Sequence, residues 1–80
     1  MSDIVKDKII GIIASEMNMD ESKVKENMNF RDDLFADSLT IFKIIIEIED
    51  EFKIKISDED ADKISTVGDA VKHVKRLTEK

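Results

Sequence analysis

The chain has 80 residues, a formal net charge of −6, and neither cysteine nor proline. That length holds one domain, read as residues 1–80, with no room for a second core. A cysteine-free chain has no disulfide framework, no thiolate metal site and no cysteine nucleophile, and it suits a reducing, cytoplasmic setting.

No run of about 18 apolar residues occurs, so no membrane span is expected. Met1-Ser2-Asp3-Ile4 opens on an acid rather than a basic stretch, so no signal peptide is expected either. With no Trp or Tyr and four Phe, base-stacking platforms are lacking, and the net charge repels phosphate backbones, which together exclude nucleic acid as a partner. Hydrophobic residues at 41% and charged residues at 40% fit a small helical domain with a heavily solvated surface. The negative charge is concentrated. Residues 31–66 hold five basic and eleven acidic residues, whereas residues 67–80 hold four basic and two acidic ones. An acidic surface of this kind meets basic protein surfaces.

Residues 3–17 read as the first helix, with Ile4, Val5, Ile9, Ile12, Ile13 and Met17 recurring at three- and four-residue spacing. Ser2 or Asp3 caps its start, and Asn18, which tolerates the left-handed conformation, closes it. Gly11 costs roughly 1 kcal/mol relative to Ala in a helix interior, so close packing against another helix is expected there. Residues 18–36 form a long connection. Its scattered Val24, Met28, Phe30, Leu34 and Phe35 suggest a packed loop, with a short helical turn over 20–24.

Residues 38–53 read as the second helix, begun by an Asp37 cap. Ile41, Ile44, Ile45, Ile48 and Phe52 centre on its core face, while Leu39, Phe42 and Ile46 widen the apolar arc to roughly 220°. Thr40, Lys43, Glu47, Asp50 and Glu51 fill the remainder. An arc that wide means either burial on several sides or a patch left for partners. Ile54 and Ile56 alternate with Lys53 and Lys55 in an extended link. Ser57 caps a short third helix over residues 58–63, with Ala61 and Ile64 inward. Thr66 caps the fourth, where Asp69 approximates a capping box and Val67, Ala70, Val71, Val74 and Leu77 form the stripe. The fold class is therefore all-α: a small four-helix bundle, its third helix short, with a long loop between the first two.

No catalytic constellation is visible. His73, the lone histidine, reads as a surface or edge residue, and no metal site is expected, since Asp58-Glu59-Asp60-Ala61-Asp62 lacks the central glycine and closing glutamate of a calcium loop. There is no glycine-rich phosphate loop. Asp37-Ser38 reads on its own as a helix cap. Ser38 also stands at a helix N-terminus, where a phosphate is electrostatically favoured, yet it has no activating base in the sequence. Its chemistry, if it has one, requires another enzyme.

The run Phe30-Arg31-Asp32-Asp33-Leu34-Phe35-Ala36-Asp37-Ser38-Leu39 resembles the phosphopantetheine attachment region of acyl carrier proteins. Ile48-Glu49-Asp50-Glu51-Phe52, Ile54-Lys55-Ile56-Ser57-Asp58-Glu59-Asp60-Ala61 and Ile64-Ser65-Thr66-Val67-Gly68-Asp69-Ala70-Val71 resemble later parts of the same family, in order. The resemblance implies a non-catalytic carrier. Ser38, flanked by Asp37 and Leu39, would bear 4′-phosphopantetheine, installed from coenzyme A by a phosphopantetheinyl transferase. The arm's thiol would hold acyl groups as thioesters for fatty acid biosynthesis or a related acyl pathway, in a cytoplasmic monomer whose helices enclose an apolar cavity. The second helix would dock acyl-chain synthesising and transferring enzymes through their basic surfaces. The residues implied are Phe42, Ile46 and Ile56 with Glu47, Glu49, Asp50 and Asp58, beside Leu39 and Asp37.

Phe35 stands where the family usually has glycine, Thr40 and Lys43 where acids are common, and Ser57 where proline is common. Lys43 is spaced to pair with Glu47. These departures leave open a specialised cargo of aminoacyl, D-alanyl or polyketide units. A purely structural helical interaction module is the reading from a different class. Crowding negative charge into the middle third also has a thermodynamic consequence, because self-repulsion weakens the compact state. The melting temperature is expected to rise with salt and with millimolar Mg²⁺ or Ca²⁺. A calorimetric melting curve unmoved by either would contradict this.

Overall fold

Apolar stripes at helical spacing give four helices in the computed structural model, which describes residues 3–78: α1 (Ile4–Met17), α2 (Ser38–Phe52), α3 (Asp58–Lys63) and α4 (Val67–Thr78). A single 3₁₀ turn, Glu21–Lys23, interrupts the long α1–α2 connection. The described residues contain one isolated bridge, Asn29 with Thr66, and no strand. The core is β-branched. Ile9 and Ile13 of α1, Ile44 and Ile48 of α2, and Val67 and Val74 of α4 are almost wholly buried against one another.

Helix ends follow the local chemistry. The Asp3 carboxylate accepts from the Lys6 amide at 3.1 Å and pairs with Lys75 of α4, tying the start of α1 to the last turn of α4. The Lys75 bond, and after it the Lys6 amide, hold this carboxyl below its usual range. Ser2, the alternative cap, lies outside the described residues. Asn18 closes α1 at φ 56°, in the left-handed region. Lys53 closes α2 at φ 57°, one residue before the expected end, with its amide on the Glu49 carbonyl. Ser57 caps α3 through the Asp60 amide at 3.2 Å. At α4 the capping box is reciprocal: Thr66 Oγ1 accepts from the Asp69 amide at 3.1 Å, and the Asp69 carboxylate accepts from the Ser65 and Thr66 amides, each at 3.2 Å.

The long connection is packed. Val24, Phe30, Leu34 and Ala36 are buried, and the loop backbone bonds directly to α4. The Met28 carbonyl accepts from the Val67 amide at 3.0 Å, and the Glu26 carbonyl from the Gly68 amide at 2.8 Å. In return the Phe30 amide donates to the Ser65 carbonyl at 3.0 Å. The opening amides of a helix have no partners within the helix itself, so here the loop supplies them. A Cβ on Gly68 would lie 3.1 Å from the Glu26 carbonyl oxygen, so glycine permits this close approach.

Four expectations are corrected. Gly11 is not at a helix–helix contact; a Cβ there would meet only the Glu21 side chain, at 3.8 Å. Ile4 and Leu77, placed on the apolar stripes, lie near helix ends and are exposed. His73 is buried rather than at the surface, because it falls between Ala70 and Val74 on the inward side of α4. Its Nδ1 takes a bond from the Arg76 guanidinium at 3.2 Å. The ring proton is then on Nε2, which has no hydrogen-bond partner and faces the Asp60 carboxylate at 3.6 Å.

The capping box yields a test. The Ser65 amide, followed by the Thr66 amide and hydroxyl, holds the Asp69 carboxyl below its usual range. A depressed carboxyl contributes stability that is complete above its unfolded value of about 3.9 and is lost as pH falls through the lower folded value. Asp69→Ala is expected to cost about 1 kcal/mol at pH 7, a fall of roughly 4–8 °C in Tm. The gap to wild type should close as pH drops below about 4, measured by circular dichroism melts.

Candidate functional site

The start of α2 is built from both sides. Asp37, extended at φ −84° and ψ 176°, accepts from the Thr40 amide at 2.8 Å. Its carboxyl is held below the usual range first by that amide, then by the Thr40 hydroxyl, the Leu39 amide and the charge of Lys43. Thr40 and Lys43 therefore act on the cap itself. The Lys43–Glu47 ion pair does not form among the described residues. Glu47 instead lies beside a like-charged carboxylate, Glu16 of α1. Desolvation, followed by that like-charged neighbour, pushes its carboxyl above the usual range.

Ser38 is exposed at the first turn of α2. Its Oγ accepts from Arg31 Nη2 at 3.3 Å across seven residues of chain. Both side chains line a cleft of about 420 Å³ between α2, α3 and the loop. Ile41 and Ile45 of α2 face Ala61 and Ile64 across it, with Phe42 beside them. Asp32, Asp58 and Asp62 stand among its polar lining. The expected cavity enclosed by the helices is thus an open cleft against α3, because the interface of α1, α2 and α4 is filled by isoleucine and valine. Its volume lies within the roughly 300–1,000 Å³ common to small-molecule sites.

The remaining expected residues divide by exposure. Leu39, Phe42 and Ile46 are exposed at 63%, 55% and 46%, so the excess apolar arc of α2 faces solvent. Glu47, Asp50 and Asp58 are exposed around it. Ile56, expected among the partner contacts, is buried in the core. Glu49, half-buried, accepts from the Ile56 amide at 2.7 Å, so its carboxylate holds the α2–α3 link. An extended link with Ile54 half-buried and Ile56 buried docks onto the bundle instead of standing out from it.

Two features beside Ser38 escaped the sequence reading. The Arg31 contact depends on the loop's path. Phe35, which departs from glycine, sits at φ 57° with 84% of its surface exposed. A bulky residue at positive φ is strained, and this one gains little burial in return. Among the described residues no cluster of His, Cys, Asp or Glu can hold a metal ion, and no helix is long and apolar enough to cross a membrane.

The described residues thus form a small helical bundle with an exposed serine at the mouth of a cleft and an acidic, apolar helix face beside it. Residues 7–74 match the family model described as a phosphopantetheine attachment site. The chain is also similar to the solved acyl carrier protein of Enterococcus faecalis, at 42% identity over 89% of this chain and 90% of that one, with a TM-score of 0.75. A putative acyl carrier protein of Mycobacterium tuberculosis matches with a TM-score of 0.86 and 38% identity, over 91% of this chain and 97% of that one. The chain belongs to the acyl carrier protein family, whose cofactor is 4′-phosphopantetheine.

Phe35 supplies the test of local strain. Relief of a left-handed non-glycine residue is worth about 1–2 kcal/mol, while the added freedom of glycine in the unfolded chain costs about 0.4–1 kcal/mol. Phe35→Gly is therefore expected to raise Tm by a few degrees, within the roughly 4–8 °C per kcal/mol of a domain this size. A fall in Tm in thermal melts would show that the aromatic ring contributes packing that outweighs its strain.

Proposed function

We propose that this chain is a cytoplasmic acyl carrier of fatty acid biosynthesis or a related acyl pathway, a single domain loaded at Ser38 and not itself an enzyme. The observation that carries the reading is the placement of Ser38. Its hydroxyl is exposed at the N-terminus of α2, at a cleft with an apolar wall, beside a guanidinium. These residues fit the cofactor. Ser38 Oγ would carry the new ester bond, the α2 N-terminus and the Arg31 guanidinium would favour its phosphate, and the apolar wall would suit a chain carried beyond it. Attack of Oγ on the pantetheine phosphorus of coenzyme A would form the phosphodiester and release adenosine 3′,5′-bisphosphate. His73 does not line the cleft, and the phosphopantetheinyl transferase would supply the base that takes the hydroxyl proton. When bound, the group supplies a terminal thiol that holds acyl groups as thioesters.

The wall of Ile41, Ile45, Ala61 and Ile64 shelters apolar cargo, at about 0.8 kcal/mol per methylene removed from water. Leu39, Phe42 and Ile46, rimmed by Glu47, Asp50 and Asp58, form the face that receives basic docking surfaces of acyl-handling enzymes. Exposed Phe35 and the Lys43 charge beside Asp37 favour a second reading, a specialised cargo of aminoacyl, D-alanyl or polyketide units.

Incubation with coenzyme A and a broad-specificity transferase is expected to add the mass of one 4′-phosphopantetheine, and Ser38→Ala to abolish the gain. An unchanged intact mass would instead support a purely structural module. Intact-mass measurement of the protein from its own cells distinguishes fatty acyl from aminoacyl or polyketide cargo.

A further inference from the structure

We propose that Arg31 is a dedicated phosphate-holding residue, which pairs with the arm's phosphodiester and seats the arm over the α2–α3 cleft. The inference rests on Ser38 being the attachment residue and goes beyond it, to the residue that positions what is attached.

Arg31 leaves a backbone that is fixed on both sides. The Asn29 side-chain oxygen accepts from the Arg31 amide at 2.9 Å and the Asp32 amide at 3.0 Å. The Asn29 amide donates to the Asp33 carboxylate at 2.7 Å, and the Asn29 carbonyl accepts from the Asp33 and Leu34 amides. Phe30 is buried and bonded to Ser65 and Ala36 through its amide and carbonyl. The guanidinium is thus delivered to Ser38 Oγ by a turn that needs no ligand to form.

Charge makes the contact informative. Among the described residues Arg31 is the only basic side chain lining the cleft, where Asp32, Asp58 and Asp62 supply the opposite sign. It forms no ion pair with any of them among the described residues. A neutral hydroxyl engages one of its five N–H donors. A phosphodiester on that same oxygen would be a like charge among these carboxylates, and a planar guanidinium satisfies such an anion with two parallel bonds. With Arg31 in place the phosphate is held at the mouth of the cleft; without it, repulsion drives the arm toward solvent.

The test uses the full-length protein with isotope-labelled pantetheine, prepared as wild type, Arg31→Ala and Arg31→Lys, each checked by intact mass and thermal melt. Arg31 is exposed, so equal melting temperatures are expected. Modification of the wild type should shift the Arg31 Nε–H resonance. The phosphate-proximal amide of the arm should show an order parameter above about 0.6 in wild type and below it in Arg31→Ala, with partial recovery in Arg31→Lys. Full mass gain with the same arm mobility in all three proteins would overturn the role of Arg31 while leaving Ser38 as the attachment residue. No mass gain in the wild type would overturn the attachment reading on which it rests.

Discussion

The mutual bonding between the long loop and the start of α4 is the constraint on which the site depends. The Glu26 and Met28 carbonyls satisfy opening amides of α4, and the Ser65 carbonyl satisfies Phe30 in turn. Each group would otherwise pay for desolvation without a partner as the core closes. Burial of Phe30 and Leu34 reinforces the same path. Because the loop is held there, Asn29 folds its turn, Arg31 reaches back across the chain, and Asp37 meets the first turn of α2 as a cap. The fold thereby converts a 3₁₀-punctuated connection into one wall of a cleft.

Electrostatics at the start of α2 then follows from neighbours rather than from net charge. The acidic middle of the chain is interrupted where Ser38 stands. Arg31 contacts its hydroxyl, and Thr40 and Lys43 act on the Asp37 carboxylate. Farther along the helix the opposite arrangement holds, where desolvation and the neighbouring Glu16 carboxylate raise the Glu47 carboxyl above its usual range. One helix therefore presents a locally cation-supported end and an acidic, apolar flank. Such a gradient places opposite electrostatic character at the two ends of one helix.

Phe35 belongs to the same region but has a different physical standing. Its backbone occupies a conformation suited to glycine, and its ring stands in solvent. Neither strain nor exposure stabilises the isolated domain.

The sequence by itself determined the four helices, the Asn18 closure, the caps at Asp37, Ser57 and Thr66, and the oversized apolar arc of α2. Each is set by the spacing or side-chain chemistry of residues close together in the chain. Ser38 was legible as a candidate site only because its ordered neighbours carried a family pattern. Tertiary structure alone decided that His73 and Ile56 turn inward, that Glu47 meets Glu16 instead of Lys43, and that Arg31 touches Ser38. These outcomes depend on which surfaces the loop and α3 cover. That covering is fixed by bonds between residues distant in the chain, such as Gly68 to Glu26, which leave no local periodicity to read.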